Sequence, residues 1–350
     1  MREITFAKAL NEATDLCMSE DPNVFIMGLG VPDPKAIFGS TAGLQKKYGE
    51  ARVFDIPCAE NAMTGIAIGS ALTGKRPILT HQRIDFALLS VEQLVNQAAK
   101  WHYMFGAAAS VPLVIRMIIG RGWGQGPQHS QSLQALFAHI PGLKVVMPTT
   151  AFDAKGLLIA SIRDNNPVIF LEHRWLYNLT SHVPEESYEI PLGKARIVTE
   201  GKDITVVTSS HMTVEAIKAS SDLEKEGIHC EILDLRSIRP LDKESILSSV
   251  RKTGRLLVLD SGWTSFGISA EIMAMVCENE FKHLKCSPQR IALPDIPTPT
   301  SHALAQDYYP TSFEISDACR SLMGAPTLQR TFKEDSKTLD IPDSSFTGPF

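Results

Sequence analysis

Strands alternating with helices through two successive stretches predict an α/β protein with two parallel-sheet domains. Three observations carry this expectation. Short apolar runs of strand length, such as VPLVIRMIIG and RLLVLDSG, are followed by segments with helical spacing. The alternation is broken once, by a polar, turn-rich connection with two prolines that begins after Tyr177. A length of 350 residues suits two domains of ordinary size better than one.

The elements follow in order. TFAKALNEATDLCMSE has apolar residues at helical spacing and stops at DPN, a turn signal. VFIMGLG and ARVFDIP read as buried strands. AENAMTGIAIGSALTG is a helix of small residues, suited to close packing on a neighbour. RPILTHQ is a strand, SVEQLVNQAAKWHYMFG a helix and VPLVIRMIIG a strand. From LQALFAHIPG to PVIFLEH the order is helix, strand, helix, strand. After the connection, DITVVTSS, HCEILDLRSI and RLLVLDSG are strands. TVEAIKASSDLEKEG, KESILSSVRKTG and SAEIMAMVCENEF are helices. These bounds give a first domain over 1–180, a linker over 181–203 and a smaller domain over 204–332. A polar, aperiodic tail occupies 333–350.

Composition narrows the function. With 44% hydrophobic and 21% charged residues the chain can bury sizeable cores. A net charge of -5 gives no reason to expect nucleic acid or an anionic membrane as partner. No apolar run approaches the ~20 residues that cross a bilayer, and the N-terminus lacks the core of a signal peptide. The six cysteines form no C-x-x-C pair, so neither a zinc site nor a disulfide framework is indicated. Reduced thiols in a cytoplasmic protein are the expectation.

Four segments can carry chemistry. RVFDIPCAENAMTGIAIGSALTG puts Glu60 at the start of a helix, where the helix dipole alone favours a carboxylate by ~0.5 kcal/mol. In GQGPQHSQS, Gly124, Gly126 and Pro127 make a turn that exposes His129, with Ser130 and Gln131 holding the loop. A lone histidine is more often structural than catalytic. LTHQRIDFALLSVEQL carries His81, Arg83 and Phe86 at a strand end. IRDNNP, before a strand, is an Asx-type turn on its residues alone.

These segments, with ITFAKALNEA, GPQHSQSLQALFAHIPGLKVVMP, IRDNNPVIFLEH and DLRSIRPLDKESILSSVRKTGRLLVLD, occur in an order that resembles a known family. The likeness runs to about Phe313. It is to the beta subunit of the thiamine-diphosphate-dependent 2-oxoacid dehydrogenases, pyruvate and branched-chain type, in the transketolase-like superfamily. The resemblance implies a pyrimidine-binding domain followed by a transketolase C-terminal-type domain. It implies that Glu60 bonds a ring nitrogen of the cofactor's aminopyrimidine and so activates the thiazolium. His129 would handle protons or position the acyl-acceptor arm. Cys58, Phe86 and Leu89 would line the cofactor with Glu60. It further implies a potassium ion held by Leu113, Ser161, Ile162, Asp164 and Asn166, oxygen ligands suited to a hard cation.

Two departures modify that picture. His81 and Arg83 stand where the family has uncharged or acidic residues. Two potentially cationic groups there point to an anionic substrate group, or to Arg83 pairing with Asp85 or with a carboxylate on a partner chain. The family's usual substrates, pyruvate and branched-chain oxoacids, are thereby in question. The chain also has no Gly-Asp-Gly, the motif that holds Mg²⁺ and the diphosphate in these enzymes, so Asn165-Asn166 lacks its partner motif. Half of the site, with the Mg²⁺, is then expected from an alpha-type chain in an α2β2 heterotetramer. A lipoyl acyltransferase core would be a further partner. Two other readings remain open: a split transketolase-like enzyme for non-oxidative carbon–carbon bond transfer, and a scaffold subunit without catalysis.

Overall fold

The computed structural model describes residues 2–33, 35–120 and 124–328. Its strands are β1 (Arg2–Thr5), β2 (Val24–Gly28), β3 (Val53–Phe54), β4 (Arg76–His81), β5 (Val114–Ile119), β6 (Lys144–Val146) and β7 (Val168–His173). They continue as β8 (Thr180–Val183), β9 (Arg196–Thr199), β10 (Ile204–Thr208), β11 (Cys230–Asp234), β12 (Ser237–Arg239), β13 (Leu256–Trp263) and β14 (Gln289–Leu293). Seven form one sheet in the order β12-β6-β7-β5-β4-β2-β3, parallel except for β12. Five form a second, β14-β13-β10-β11-β9, parallel except for β9. β1 and β8 make a small antiparallel pair.

Parallel strands are covered on both faces, and all six residues of β5 and of β7 are buried. One face of the first sheet, with Ile26, Ile78, Val114 and Phe170, packs on the helices Phe6–Glu20 and Ala151–Arg163. The second of these is started by a capping box of Thr150 and Asp153, which satisfies N–H groups the helix leaves open. The opposite face, with Met27, Leu79, Ile115 and Leu171, belongs to an apolar core that also contains Val207, Leu233 and Val258 of the second sheet. The two domains therefore share a core. A third cluster lies between the second sheet and the helices His211–Glu224 and Ser312–Met323.

The two-domain parallel-sheet expectation holds, with differences in detail. The linker is partly structured: β8 ends within it and β9 lies inside it. HCEILDLRSI is two strands, β11 and β12, and they join different sheets. Arg236, between them, has φ 57°, and this sharp turn redirects the chain. β14 and the helices His302–Tyr308 and Ser312–Met323 have no counterpart in the sequence reading. The tail read over 333–350 lies outside the described residues.

Candidate active site

After β2 the chain moves to β3 on one side, then returns to β4 on the other side of β2. Such a reversal opens a crevice at the carboxyl ends of the strands, where parallel α/β sheets bind ligands. A pocket sits there, lined by Leu29 after β2, by Ile56, Pro57, Cys58 and Glu60 after β3, and by Thr80, His81, Gln82 and Phe86 at and after β4. Four of the sequence candidates, Glu60, Cys58, Phe86 and His81, thus meet in one pocket.

Glu60 is the first residue of the helix Glu60–Leu72, whose N-cap, Ala59, offers no side-chain cap. The Glu60 carboxylate makes no hydrogen bond to the described residues. His81 closes β4 and is 4% exposed. Burial pushes its imidazole down from 6.5 to about 4, so it is neutral near pH 7, and its Nε2 has no hydrogen-bond partner among the described residues. This corrects the expectation of two cationic groups at the pocket edge.

Phe86 lies in the short helix Ile84–Ala87. His129 meets it edge-on, with ring centroids 5.6 Å apart and an interplanar angle of 82°. The loop that carries His129 is fixed from both ends. Gln131 Nε2 donates to Asp85 Oδ1 at 2.7 Å. Gly126, at φ 67°, packs so closely on the second domain that a Cβ would lie 2.4 Å from Thr300 Oγ1. Leu89 is 65% exposed and does not line the pocket.

Arg83 is turned away from this pocket. It is 5% exposed; its Nη1 donates to Gly120 O at 3.5 Å and its Nη2 to Gln125 Oε1. No ion pair joins it to Asp85 among the described residues. Arg174, directly after β7, donates from Nη1 to the same Gln125 oxygen at 3.0 Å. Gln125 and Arg174 were not singled out by the sequence reading. The signal available was that Arg174 follows FLEH at the carboxyl end of a central strand.

The residues of the potassium expectation lie around one turn, and most of their oxygens are engaged. Arg76 Nη1 donates to Ile162 O and Asp164 O, each at 3.0 Å, and its Nη2 to Asn165 Oδ1 at 2.7 Å. Ser161 Oγ donates to Leu157 O at 2.7 Å, and Leu113 O accepts from Val168 N at 2.9 Å. Asp164 is bridged to Lys144 and accepts from Asn166 N at 2.8 Å.

A second cleft lies across the 124–132 loop, between the domains. Gly120, Ser130, Ser132 and His173 line one side, and His211, Met212, Ser261, Leu293, Tyr309 and Pro310 the other. The His173 and His211 rings stack at 4.6 Å, 18° from parallel.

Comparison with known proteins agrees with the two-domain fold. Residues 2–180 match the family model described as "Transketolase, pyrimidine binding domain" and residues 193–315 that of "Transketolase, C-terminal domain". The chain is 44% identical to the acetoin:2,6-dichlorophenolindophenol oxidoreductase subunit beta of Cupriavidus necator, over 92% of this chain and 98% of that one. It is 43% identical to the mitochondrial pyruvate dehydrogenase E1 component subunit beta-1 of Arabidopsis thaliana, over 91% and 88%. A solved structure described as a split gene transketolase, an inactive beta4 tetramer, shares the fold with a TM-score of 0.76 at 20% identity, over 92% of this chain and 98% of that chain. The chain belongs to the beta-subunit family of the thiamine-diphosphate-dependent 2-oxoacid dehydrogenases, within the transketolase-like superfamily.

The pocket fits the aminopyrimidine of that family's cofactor. Such a ring is flat and edged with nitrogen donors and acceptors. The pocket offers it a carboxylate, a buried imidazole nitrogen without a partner among the described residues, and the ring of Phe86.

Proposed function

We propose that this chain is the half of a thiamine diphosphate enzyme that seats and activates the aminopyrimidine, with a 2-oxoacid as substrate. The observation that carries it is the crevice at the β2/β4 reversal, which gathers Glu60, Cys58, His81 and Phe86, with His129 against Phe86. Glu60 bonds a ring nitrogen and exchanges a proton with it. The neutral His81 offers Nε2 to the ring's polar edge, and Phe86 packs on its face. His129, held by its loop against Phe86, serves the proton and acyl-transfer steps. When bound, the cofactor supplies the carbon nucleophile and the electron sink.

Leu89 is exposed in the single chain, so its contact with the cofactor belongs to an assembled form. The missing Gly-Asp-Gly supports a reading in which an alpha-type chain holds Mg²⁺ and the diphosphate, in an α2β2 assembly with a lipoyl acyltransferase as acceptor. Six unpaired cysteines accord with the cytoplasm. No helix among the described residues is long and apolar enough to cross a membrane.

Arg83 recognises an anionic group of the substrate in this reading. Arg83→Met should raise the apparent substrate constant and spare the cofactor constant. In the 161–166 turn a potassium ion would share the Ile162 and Asp164 carbonyls with the Arg76 guanidinium, so the geometry favours arginine as the cation there.

The test is reconstitution with an alpha-type chain, thiamine diphosphate and Mg²⁺, followed by a screen of 2-oxoacids and sugar phosphates. Decarboxylation of a 2-oxoacid that needs both chains is expected. Turnover of sugar phosphates alone would transfer the chain to the transketolase reading, and no turnover of either class would leave the scaffold reading.

A further inference from the structure

The six free cysteines of the chain are not alike. Cys17, Cys230 and Cys319 are buried, at 3%, 2% and 0% exposure. Burial pushes the Cys17 thiol up to about 12. The Cys230 and Cys319 sulfurs lie 3.9 Å apart, and their mutual hydrogen bond, with burial, holds the Cys319 thiol well above its ordinary value. Cys277 and Cys286 are half-buried, and of the six only Cys58 is exposed. Thiol–disulfide exchange needs access to the sulfur, so it concentrates at Cys58 in this chain.

The position of Cys58 is fixed by local bonds. Asp55 Oδ1 accepts from Gly30 N at 2.9 Å and from Ile56 N at 2.8 Å, which ties the segment after β3 to the end of β2. Ala59 N then donates to Pro57 O at 2.7 Å and closes a tight turn with Cys58 at its centre. The turn puts Cys58 on the wall of the pocket that also holds Glu60, His81 and Phe86.

A second observation marks that pocket as a place that takes a ligand. His81 lines it at 4% exposure, and its Nε2 has no hydrogen-bond partner among the described residues. A buried ring nitrogen of this kind is stabilised by whatever group the occupant brings to it. Cys58 therefore stands where a ligand is seated and is itself open to solvent. Asp55 and Glu60 flank it in the chain, so a reagent with positive charge is favoured over an anionic one.

We propose that Cys58 is a reversible modification site for small disulfides, and that its mixed disulfide shuts the pocket to the cofactor's ring. The exclusion of the ring rests on the aminopyrimidine reading under the proposed function; the reactivity of Cys58 does not. The Cys58 thiolate attacks one sulfur of the disulfide. A new S–S bond forms as the old one breaks, and the released thiolate takes up the proton that Cys58 gave to water. A small thiol reverses the step. The adduct adds bulk beside Leu29, Ile56 and Phe86, so adduct and ring compete for one space. By the same competition a seated ring shields the sulfur.

The experiment treats the full chain with cystamine, a cationic disulfide, then blocks the remaining thiols and maps the peptides by mass spectrometry. A mixed disulfide should form at Cys58 at least about tenfold faster than at any other cysteine, and dithiothreitol should remove it. Faster reaction at another cysteine, or no adduct at Cys58, overturns the proposal. In the enzyme assembled with an alpha-type chain, thiamine diphosphate and Mg²⁺ at about a hundred times Kd should slow the labelling of Cys58 about a hundredfold. The modified enzyme should bind the cofactor at least about tenfold more weakly by calorimetry. Cys58→Ser, measured against its own untreated state, should lose no cofactor affinity on exposure to cystamine.

Labelling of Cys58 that leaves cofactor affinity unchanged overturns the exclusion. Glu60→Gln then tells which step failed. If that variant slows proton exchange at the thiazolium carbon, the pocket seats the ring and the exclusion alone is withdrawn. If exchange is also parental, the aminopyrimidine reading of the pocket falls with it.

Discussion

Replacing Glu60 by glutamine keeps its size and a hydrogen bond while removing the carboxylate and its proton exchange. Glu60→Gln should fold, assemble and bind cofactor. Hydrogen–deuterium exchange at the thiazolium carbon should then slow by a factor above about a hundred, roughly 3 kcal/mol on the barrier. Near-parental exchange would remove Glu60 from the chemistry. His129→Ala should leave cofactor binding nearly intact and lower turnover by about two to four powers of ten, most visibly with the acyl acceptor present. Parental turnover would make His129 structural. His81 has its own signature. The unfolded chain protonates it near 6.5 and the native chain only near 4, so between those values the unfolded state binds more protons. Its contribution to stability is therefore intact above pH 6.5 and is lost as pH falls toward 4, about 3 kcal/mol in full. His81→Phe should flatten that part of the stability–pH curve, as chemical denaturation at stepped pH would read. The grouping of Glu60, Phe86 and His129 was legible through the family resemblance of their segments, two in helices and one in a loop. The destination of Arg83 was not: it depends on Gln125 and Arg174, which lie 42 and 91 positions downstream. Nothing in the local pattern tells which way a buried guanidinium points.

At the scale of elements, apolar runs announced the central strands well, since strands covered on both faces are apolar throughout. The short edge elements gave no such signal. β3 has two residues, β12 three, and β9 is half-exposed and paired by backbone groups that any sequence supplies. The end of the helix Ala151–Arg163 shows the same limit. IRDNNP signals a turn, but its carbonyls are met by Arg76, at the start of β4. Arg76→Met should cost about 2 kcal/mol, because three charge-assisted bonds are lost and helix-terminal carbonyls are left open. Melting in potassium chloride against choline chloride extends the test. A potassium-specific gain in the parent chain would assign the turn to the metal ion. A gain confined to Arg76→Met would mean that the guanidinium stands in its place.

For the molecule as a whole, the first expectation concerns cofactor affinity. The chain alone should bind thiamine diphosphate weakly, since it seats the pyrimidine and lacks the magnesium motif. Calorimetry that found tight, Mg²⁺-dependent binding at one site per isolated chain would refute a divided site. The two-domain architecture was evident in the sequence, and their fusion was not. The domains share an apolar core, a buried Gln134–Asp260 hydrogen bond of 2.7 Å and an Arg236–Asp153 contact of 3.3 Å. Above all, β12 belongs by sequence to the second domain and by pairing to the first, where it completes the edge beside β6, Ser237 opposite Val146. A fragment cut after residue 180 would leave that edge bare. An unpaired strand edge is a template for other chains. Such a fragment should collect in inclusion bodies, whereas supplying 204–332 in trans during refolding should return it to solution.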